Sequence, residues 1–471
     1  MTSHHEAAEG QGAHTIHFIG IAGSGMSALA QLAAARGYGV SGSDRAFDQG
    51  RLPEIKRQFE RHGFAIHRQD GSGINPATAA IVTSSAVEDS VPDVVTARER
   101  QVTIFLRSEF LASLAQEYRS LAVAGTSGKT TVTAMIGHIL TQAGLDPTVV
   151  NGGTPLDYPE DAGLGNARIG GGDVMVYEAD ESDGSLFRYH PKVAIVTNLA
   201  RDHFEEDELL KMFGGLVSQT AQAAILPDAL AERIRSLGLE RLPELRTFSL
   251  YGGADRFFPI GIKQGGWDSS FQFQDVEFRL KVPGQHNVLN AVAAVLAAQE
   301  FGVAPQIAAQ ALQSFPGVAR RLELIGEVNR IRVVDDYAHN PAKLDATLRA
   351  LRPRCRNLHV VFQPHGYRPA RFMREALPGL FRQHLRAGEK LIIPEIFYAG
   401  GTAVQDISSR DLVADLNAAG VAAEYVPSLF EAQRLLLDAA HPGDIVAVVG
   451  ARNPDLPVFA EGLLQAMARM A

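Results

Sequence analysis

The sequence predicts three α/β domains in series, and three observations carry the prediction. The chain has 471 residues, enough for two to four domains at roughly 150 residues each. Short apolar runs alternate with helical patterns along nearly its whole length, which is the signature of parallel strands joined by crossover helices. Two of those runs pass directly into glycine-rich turns that open a helix.

Taken in order, residues 14–20 (HTIHFIG) form an apolar strand, and Met26–Gly37, rich in alanine and leucine, forms a helix. Residues 39–44 (GVSGSD) are a second strand ending in a carboxylate, and residues 79–85 and 102–106 are two more. A new unit begins near Arg119, with a strand over Ser120–Ala124, a glycine turn and a helix running to Leu140. Val174–Glu178 and Lys192–Asn198 continue its sheet, residues 252–280 read as short strands with turns, and Val288–Phe301 is a strong helix. The third unit starts near Gly317 and carries strands at Ile331–Val334, His359–Phe362, Leu391–Pro394 and Ile445–Val449. The expected domains are residues 1–118, 119–317 and 318–471. No solenoid repeat or low-complexity tract interrupts them.

Composition narrows the function. Apolar residues make up 46% and charged residues 21%, as in a globular protein with substantial cores. No run approaches the ~18 apolar residues of a membrane span. The polar start lacks a basic segment followed by an apolar run, so no secretory signal is expected, and the expected location is the cytoplasm. The single Cys355 excludes an internal disulfide and a cysteine-based zinc cluster, and reads as a packed or idle thiol. A net charge of −9 argues against nucleic-acid or anionic-membrane binding. With 8 lysines against 36 arginines, a lysine in a special loop stands out.

The first such loop is Gly20-Ile21-Ala22-Gly23-Ser24-Gly25, between a strand and a helix. A turn of this kind presents backbone N–H groups at a helix N-terminus to a diphosphate, and Asp44 at the next strand end is placed to accept from a ribose hydroxyl, as in a Rossmann-like domain. Ala22 stands where the usual fingerprint has glycine. The pattern does not separate a nicotinamide cofactor from a nucleotide-sugar. The second loop, Gly125-Thr126-Ser127-Gly128-Lys129-Thr130-Thr131, is a stronger signal. Its amides can wrap phosphate oxygens, Lys129 can neutralise the terminal phosphates and the Thr130 hydroxyl can reach Mg²⁺, as in a P-loop. Val123 occupies the place of the first P-loop glycine, so this loop is a shortened form.

Glu178-Ala179-Asp180-Glu181-Ser182-Asp183 follows an apolar strand. Four carboxylates so close together are too costly to bury without partners, and one at a strand end beside a P-loop is suited to Mg²⁺. Glu178 is the preferred ligand. A solvated acidic turn is the alternative, and it fits Glu181 and Asp183 better. Thr197-Asn198-Leu199-Ala200-Arg201-Asp202-His203 ends the next strand, and His203 beside Asp202 suits metal ligation or phosphate contact. Pro283–Asn287 with Asn290, Arg320-Arg321 and Asp335–Pro341 read, taken alone, as linkers and helix caps.

Together these residues resemble the Mur ligase family, the ATP-dependent amide ligases of peptidoglycan precursor synthesis. The resemblance spans roughly residues 14–465. It rests on residues 17–20 through Met26-Ser27, Ser41–Asp44, Ser84-Ser85-Ala86, Ala122–Thr126 with Gly128–Thr131, Glu178–Asp183 and Phe362-Gln363-Pro364-His365. Within the family the likeness is greatest to the members that add L-alanine to UDP-N-acetylmuramate. Next come those that reattach a recycled tripeptide to the same UDP-sugar. The resemblance implies a UDP-sugar-binding first domain using Gly20, Gly23, Ser24, Gly25, Met26, Asp44, Ser84 and Ser85, and a central domain that binds ATP and Mg²⁺. It also implies a C-terminal domain that brings the amine. The implied chemistry runs through an acyl phosphate on the sugar's lactyl carboxylate. Thr130 and Glu178 match the ligands of one Mg²⁺ and His203 a ligand of a second. Asn287 and Asn290 match contacts to the ATP base, Arg321 a phosphate contact, Asp336 a ribose contact, and His339 a residue lining the amine site. Lys211 lies too early to match the carbamylated lysine of some members.

The chain departs from the pattern in its third domain. The alanine-adding members read F-Q-P-H-R-Y-T-R-T-R, whereas this chain has Gly366 and Pro369 at two arginine positions and gains Arg368, with His365 and Arg371 kept. Ala399-Gly400-Gly401 replaces A-G-E, and residues 450–456 are also unlike the usual ending. These changes predict a roomier acceptor pocket and a different or larger amine, a peptide included. The alternative is that Arg368 or Arg371 replaces the lost clamp and L-alanine stays the substrate. Partners are therefore UDP-N-acetylmuramate and an amino acid or peptide amine, with monomer and homodimer both open. An oxidoreductase reading uses only the first loop and Asp44 and leaves the P-loop without a purpose. Intact Lys129, Thr130, Glu178 and His203 oppose a silent nucleotide-binding scaffold.

Overall fold

The computed structural model describes residues 14–158, 164–200, 204–252, 257–398 and 404–470. The chain divides into two compact units, Met1–Phe257 with Ala293–Ala311, and Phe258–Val292 with Leu312–Ala471.

The first unit contains two α/β sheets. In the N-terminal one, five parallel strands run in the order Ala65–His67, Gly39–Ser43, Thr15–Ile19, Thr78–Thr83, Thr103–Leu106. Alternation along the first strand sends Ile16 and Phe18 into the core beneath the helix Ser24–Ala35, while Ile19 joins Ile74, Ile81, Val91 and Val94 on the other face. The strand order reverses between Thr15–Ile19 and Thr78–Thr83. Such a reversal opens a crevice at the carboxyl ends of the two strands, and residues 20–25 and 84–85 begin there.

The central sheet has seven strands in the order Glu244–Phe248, Ala223–Pro227, Val193–Val196, Arg119–Ala124, Val174–Glu178, Thr148–Val150, Ala167–Arg168. Only the last pairing is antiparallel. Leu121, Val123, Val176 and Ile195 are fully buried, because helices cover both faces of a parallel sheet and its strands become continuous apolar runs. Each such side chain contributes roughly 1.5–3 kcal/mol through burial. The loops that carry chemistry extend from the carboxyl ends of the three middle strands.

The second unit has a six-stranded sheet in the order Glu323–Val328, Ile331–Asp336, Ile445–Gly450, Leu358–Gln363, Leu391–Pro394, Ala423–Val426. Glu323–Val328 is an antiparallel edge strand; the other pairings are parallel. An antiparallel meander, Ile260–Gly265, Asp268–Phe273 and Val276–Leu280, belongs to this unit too. Trp267 packs against the core of the large sheet, and Arg354 donates to Gln264 at 3.2 Å. Residues 258–292, which the sequence boundaries give to the central domain, thus group with the C-terminal sheet. Burial pushes the Cys355 thiol up to about 11, which keeps it protonated and unreactive at neutral pH.

Candidate active site

The first glycine turn is closed by its own backbone and by Asp44. The N–H groups of Gly20 and Ile21 donate to the Ser43 carbonyl at 2.8 and 3.2 Å. Asp44 accepts from Ala22 N–H at 3.0 Å and, as the cap of the following helix, from Ala46 N–H at 2.8 Å. Both of its oxygens are therefore engaged in shaping the turn, a role the sequence reading did not assign. The helix Ser24–Ala35 starts at Gly23 without a side-chain cap, which leaves its positive end for an anion. Gly23 and Ser24 are exposed, Gly25 is half-buried, Met26 is buried, and Ser84 and Ser85 lie at the end of the neighbouring strand.

The P-loop is held by residues at the end of the adjacent strand. Asn198 Oδ1 accepts from the Thr126 hydroxyl at 2.7 Å and Ser127 N–H at 3.0 Å, its Nδ2 donates to the Ser127 carbonyl at 2.9 Å, and the Thr197 hydroxyl donates to that carbonyl at 2.6 Å. Gly125 has φ of +123°, and a Cβ there would lie 2.1 Å from Thr197 Oγ1, so only glycine fits. Gly128, at φ +82°, caps the helix Lys129–Gln142. Thr130 and Thr131 are buried in its first turn.

Lys129 extends back across the loop, donating to the Gly125 carbonyl at 2.8 Å and Glu181 Oε2 at 2.6 Å, with Asp180 at 4.0 Å. Burial alone would pull the ammonium down, but Glu181, Asp180 and Glu178 outweigh it and hold Lys129 above its ordinary value. The solvated reading of Glu181 is thus corrected. It is 1% exposed and is the lysine's partner. Asp183 accepts from Ser185 N–H at 3.0 Å. Glu178 ends its strand with Oε1 receiving the Thr130 hydroxyl at 3.2 Å and Oε2 receiving Gly152 N–H at 2.8 Å. A hydroxyl and a carboxylate this close form a hard-oxygen pair of the sort Mg²⁺ takes together with phosphate oxygens and water, so the residues fit the ion. His203 lies outside the described residues, and among those described no three His, Cys, Asp or Glu side chains form a metal-binding group.

Arg107, which the sequence reading passed over, lies between the glycine turn and the acidic strand end. A Cβ on Gly25 would meet its Nη1 at 2.7 Å, and its Nη2 is 3.6 Å from Asp180 and 3.8 Å from Asp183. Burial opposes ionisation of Asp180, yet Lys129 and Arg107 keep its carboxyl below the ordinary range. Arg107 also lines a small pocket with Ser85, Ser108, Ser185 and Arg188.

The remaining predicted residues belong to the second unit. Asn287 donates to the Pro283 carbonyl at 2.7 Å and accepts from Asn290 at 3.1 Å. Arg321 lies over the Tyr337 ring at 4.8 Å. Asp336 is 8% exposed and accepts from Leu322 N–H at 2.7 Å, Ala338 N–H at 2.8 Å and the Thr347 hydroxyl at 3.0 Å. It thereby ties the Leu322 and Ala338 amides to its own strand end. His339 donates from Nδ1 to the Tyr337 carbonyl at 2.8 Å, which turns Nε2 toward Lys343 Nζ at 3.4 Å. His365 meets it edge-on at 5.1 Å. Arg368 is exposed, and Arg371 pairs with Asp406 at 2.9 Å. Ala399, Gly400 and Gly401 lie outside the described residues.

A P-loop facing a cluster of strand-end carboxylates is the arrangement of a phosphoryl-transfer enzyme, and a second glycine turn lies in the same unit. Residues 15–119 match the Mur ligase family catalytic domain, residues 123–298 the Mur ligase middle domain and residues 320–452 the Mur ligase glutamate ligase domain; the chain belongs to the Mur ligase family of ATP-dependent amide ligases. It is 33% identical over 459 residues to a UDP-N-acetylmuramate–L-alanine ligase of Rhizobium meliloti, covering 93% of each chain. To the enzyme of that name from Solibacter usitatus it is 36% identical over 455 residues, covering 93% of this chain and 92% of that one. The structure of UDP-N-acetylmuramate-alanine ligase from Thermotoga maritima superposes with a TM-score of 0.78 at 25% identity, covering 97% of this chain and all of that one. A murein peptide ligase from Psychrobacter arcticus shares the fold, with a TM-score of 0.70 at 24% identity and coverage of 98% and 100%.

Proposed function

We propose that this enzyme uses ATP to join L-alanine to the lactyl carboxylate of UDP-N-acetylmuramate, through an acyl phosphate, in peptidoglycan precursor synthesis. The observation that carries the reading is the Thr130–Glu178 pair, 3.2 Å apart, beside Lys129 in the P-loop of a chain 33–36% identical to ligases of that name. The loop amides and Lys129 bind the terminal phosphates of ATP and offset charge that develops on the transferred phosphoryl group. Thr130 and Glu178 hold Mg²⁺, with His203 for a second ion; bound Mg²⁺ supplies Lewis-acid polarisation of the phosphoryl oxygens. The amides at Gly23–Gly25 take the sugar-nucleotide diphosphate, with Ser84 and Ser85 alongside. Asn287 and Asn290 serve the ATP base, Arg321 its phosphate and Asp336 its ribose. His339, His365, Arg368 and Arg371 serve the amine.

A larger amine is the second reading. It is favoured by the engagement of Arg371 with Asp406 and by the absence of side chains at Gly366 and Gly401. Phosphate release with UDP-N-acetylmuramate and Mg–ATP separates the two across L-alanine, glycine, L-serine and L-alanyl-γ-D-glutamyl-diaminopimelate. L-alanine should give the highest kcat/KM. A tenfold preference for the peptide, about 1.4 kcal/mol, transfers the enzyme to the second reading, and no release with any amine rejects both.

A further inference from the structure

A chain of polar groups runs from the first glycine turn to the Thr130–Glu178 pair. Asn166 is 4% exposed. Its Nδ2 donates to the Ser24 carbonyl and, at 2.6 Å, to the Ser27 hydroxyl, and its Oδ1 accepts from Gln31 Nε2 at 3.0 Å. Gln31 in turn accepts from Leu164 N–H at 3.1 Å. The side chain of Asn166 is thus fastened to the opening turns of the helix that follows the glycine loop. Its backbone carbonyl faces the other way and accepts from Asn151 N–H at 2.9 Å. Asn151, 1% exposed, donates from Nδ2 to the Thr130 carbonyl at 3.2 Å. The next residue, Gly152, gives its N–H to Glu178 Oε2. A Cβ on Gly152 would lie 2.4 Å from that oxygen, so glycine is required for the approach.

Ser27, Gln31, Asn151 and Asn166 are buried, and a buried polar group costs about 1–3 kcal/mol if left unpaired. Apolar side chains would join two sheets more simply. Hydrogen bonds with fixed directions instead make the position of one element depend on that of the next. We propose that Asn166, with Asn151 and Gly152, forms a positioning relay. Through it, occupancy of the sugar-nucleotide turn sets the placement of Thr130 and Glu178, and therefore the affinity for Mg–nucleotide. This rests on the ligase reading above. Coupling of this kind is reciprocal, so Mg–nucleotide must tighten the UDP-sugar by the same factor.

The test is calorimetric titration of UDP-N-acetylmuramate into the full chain, without and with saturating Mg–ADP, which cannot form the acyl phosphate. The wild-type protein should bind the sugar at least about fivefold more tightly with Mg–ADP, within the usual range of coupling between sites. Asn166→Ala keeps the carbonyl that Asn151 uses and removes the link to Ser24, Ser27 and Gln31. Its coupling factor should fall below about twofold while both ligands still bind. A purely structural role would lower the melting point and the active fraction without changing that ratio. If Asn166→Ala does not fold, Ser27→Ala, which removes one of the links, is scored by the same ratio and should lie between one and the wild-type value. A variant ratio equal to wild type, or a wild-type ratio of one, overturns the relay and leaves the ligase reading intact. Failure of UDP-N-acetylmuramate to bind the wild-type protein overturns the ligase reading, and the relay with it.

Discussion

At the residue scale, the acidic strand end divides its labour. Glu178 faces Thr130, whereas Glu181 faces Lys129 at 2.6 Å. Lys129→Ala should abolish ATP-dependent ligation, with a loss of about 10³-fold or more in phosphate release. Retention of near wild-type turnover would remove Lys129 from the phosphate site. Glu178→Gln keeps the acceptor for Gly152 but removes the charge a hard cation requires. Its half-saturating Mg²⁺ should rise and its turnover should fall by on the order of 10²-fold. Glu181→Gln should be milder on both counts, and the reverse ranking would reassign the metal ligand. Lys129, Thr130 and Glu178 stand out in the sequence by their spacing, and the structure brings them together. Glu181 was read as a solvated acid, because burial, not composition, separates an ion-pair partner from one.

At the element scale, the loops depend on glycines with close neighbours. Gly125→Ala places a methyl against Thr197 Oγ1 and should eliminate the melting-point rise caused by Mg–ATP, while the sheet core, which the substitution does not touch, keeps a cooperative transition. An unchanged rise would mean that the loop tolerates the shift. The helix Gln285–Gln299 carries His286 in its first turn. His286 is held at about 4, chiefly by burial with Arg354 adding to it. The unfolded chain therefore binds the proton more readily between about pH 6.5 and 4, and stability is lost as pH falls through that window. His286→Gln should flatten this loss, by on the order of 2 kcal/mol, in denaturant titrations at pH 7 and pH 4.5. Equal losses in both proteins would assign acid sensitivity elsewhere. Such effects were not legible in the sequence, where the same histidine reads as one of a polar pair after a proline and a glycine.

For the whole molecule, the alternation of strands and helices was legible throughout. The parallel sheets follow from it, because short apolar runs separated by helices admit few other arrangements. What escaped the reading were contacts between distant segments: Asn198 on the P-loop, Arg107 beside the glycine turn and Asn166 on the first helix. Each is an ordinary polar residue whose meaning comes from a neighbour tens of positions away. Asp44 and Asp336 were marked as ligand contacts, and the structure adds that both fasten backbone amides. Ligand-induced stabilisation tests the assembled reading. Mg–ATP and UDP-N-acetylmuramate should each raise the melting point, while NAD(H) should leave it unchanged. A shift with NAD(H) alone would return the first domain to dinucleotide chemistry.

The contact between Lys129 and Glu181 also makes the P-loop self-occupied. Its cation already has an anion seated on it, built into the chain and present at a local concentration no solute can match. A stray phosphate must evict that carboxylate and leave it buried without its partner. A nucleotide recoups the exchange through many loop contacts at once, so the loop is guarded against small anions that share only the charge of its true ligand. Relieving the guard should be visible directly: inorganic phosphate, nearly inert toward the wild-type protein, should stabilise Glu181→Gln against heat, and identical responses of the two proteins would show that the carboxylate guards nothing.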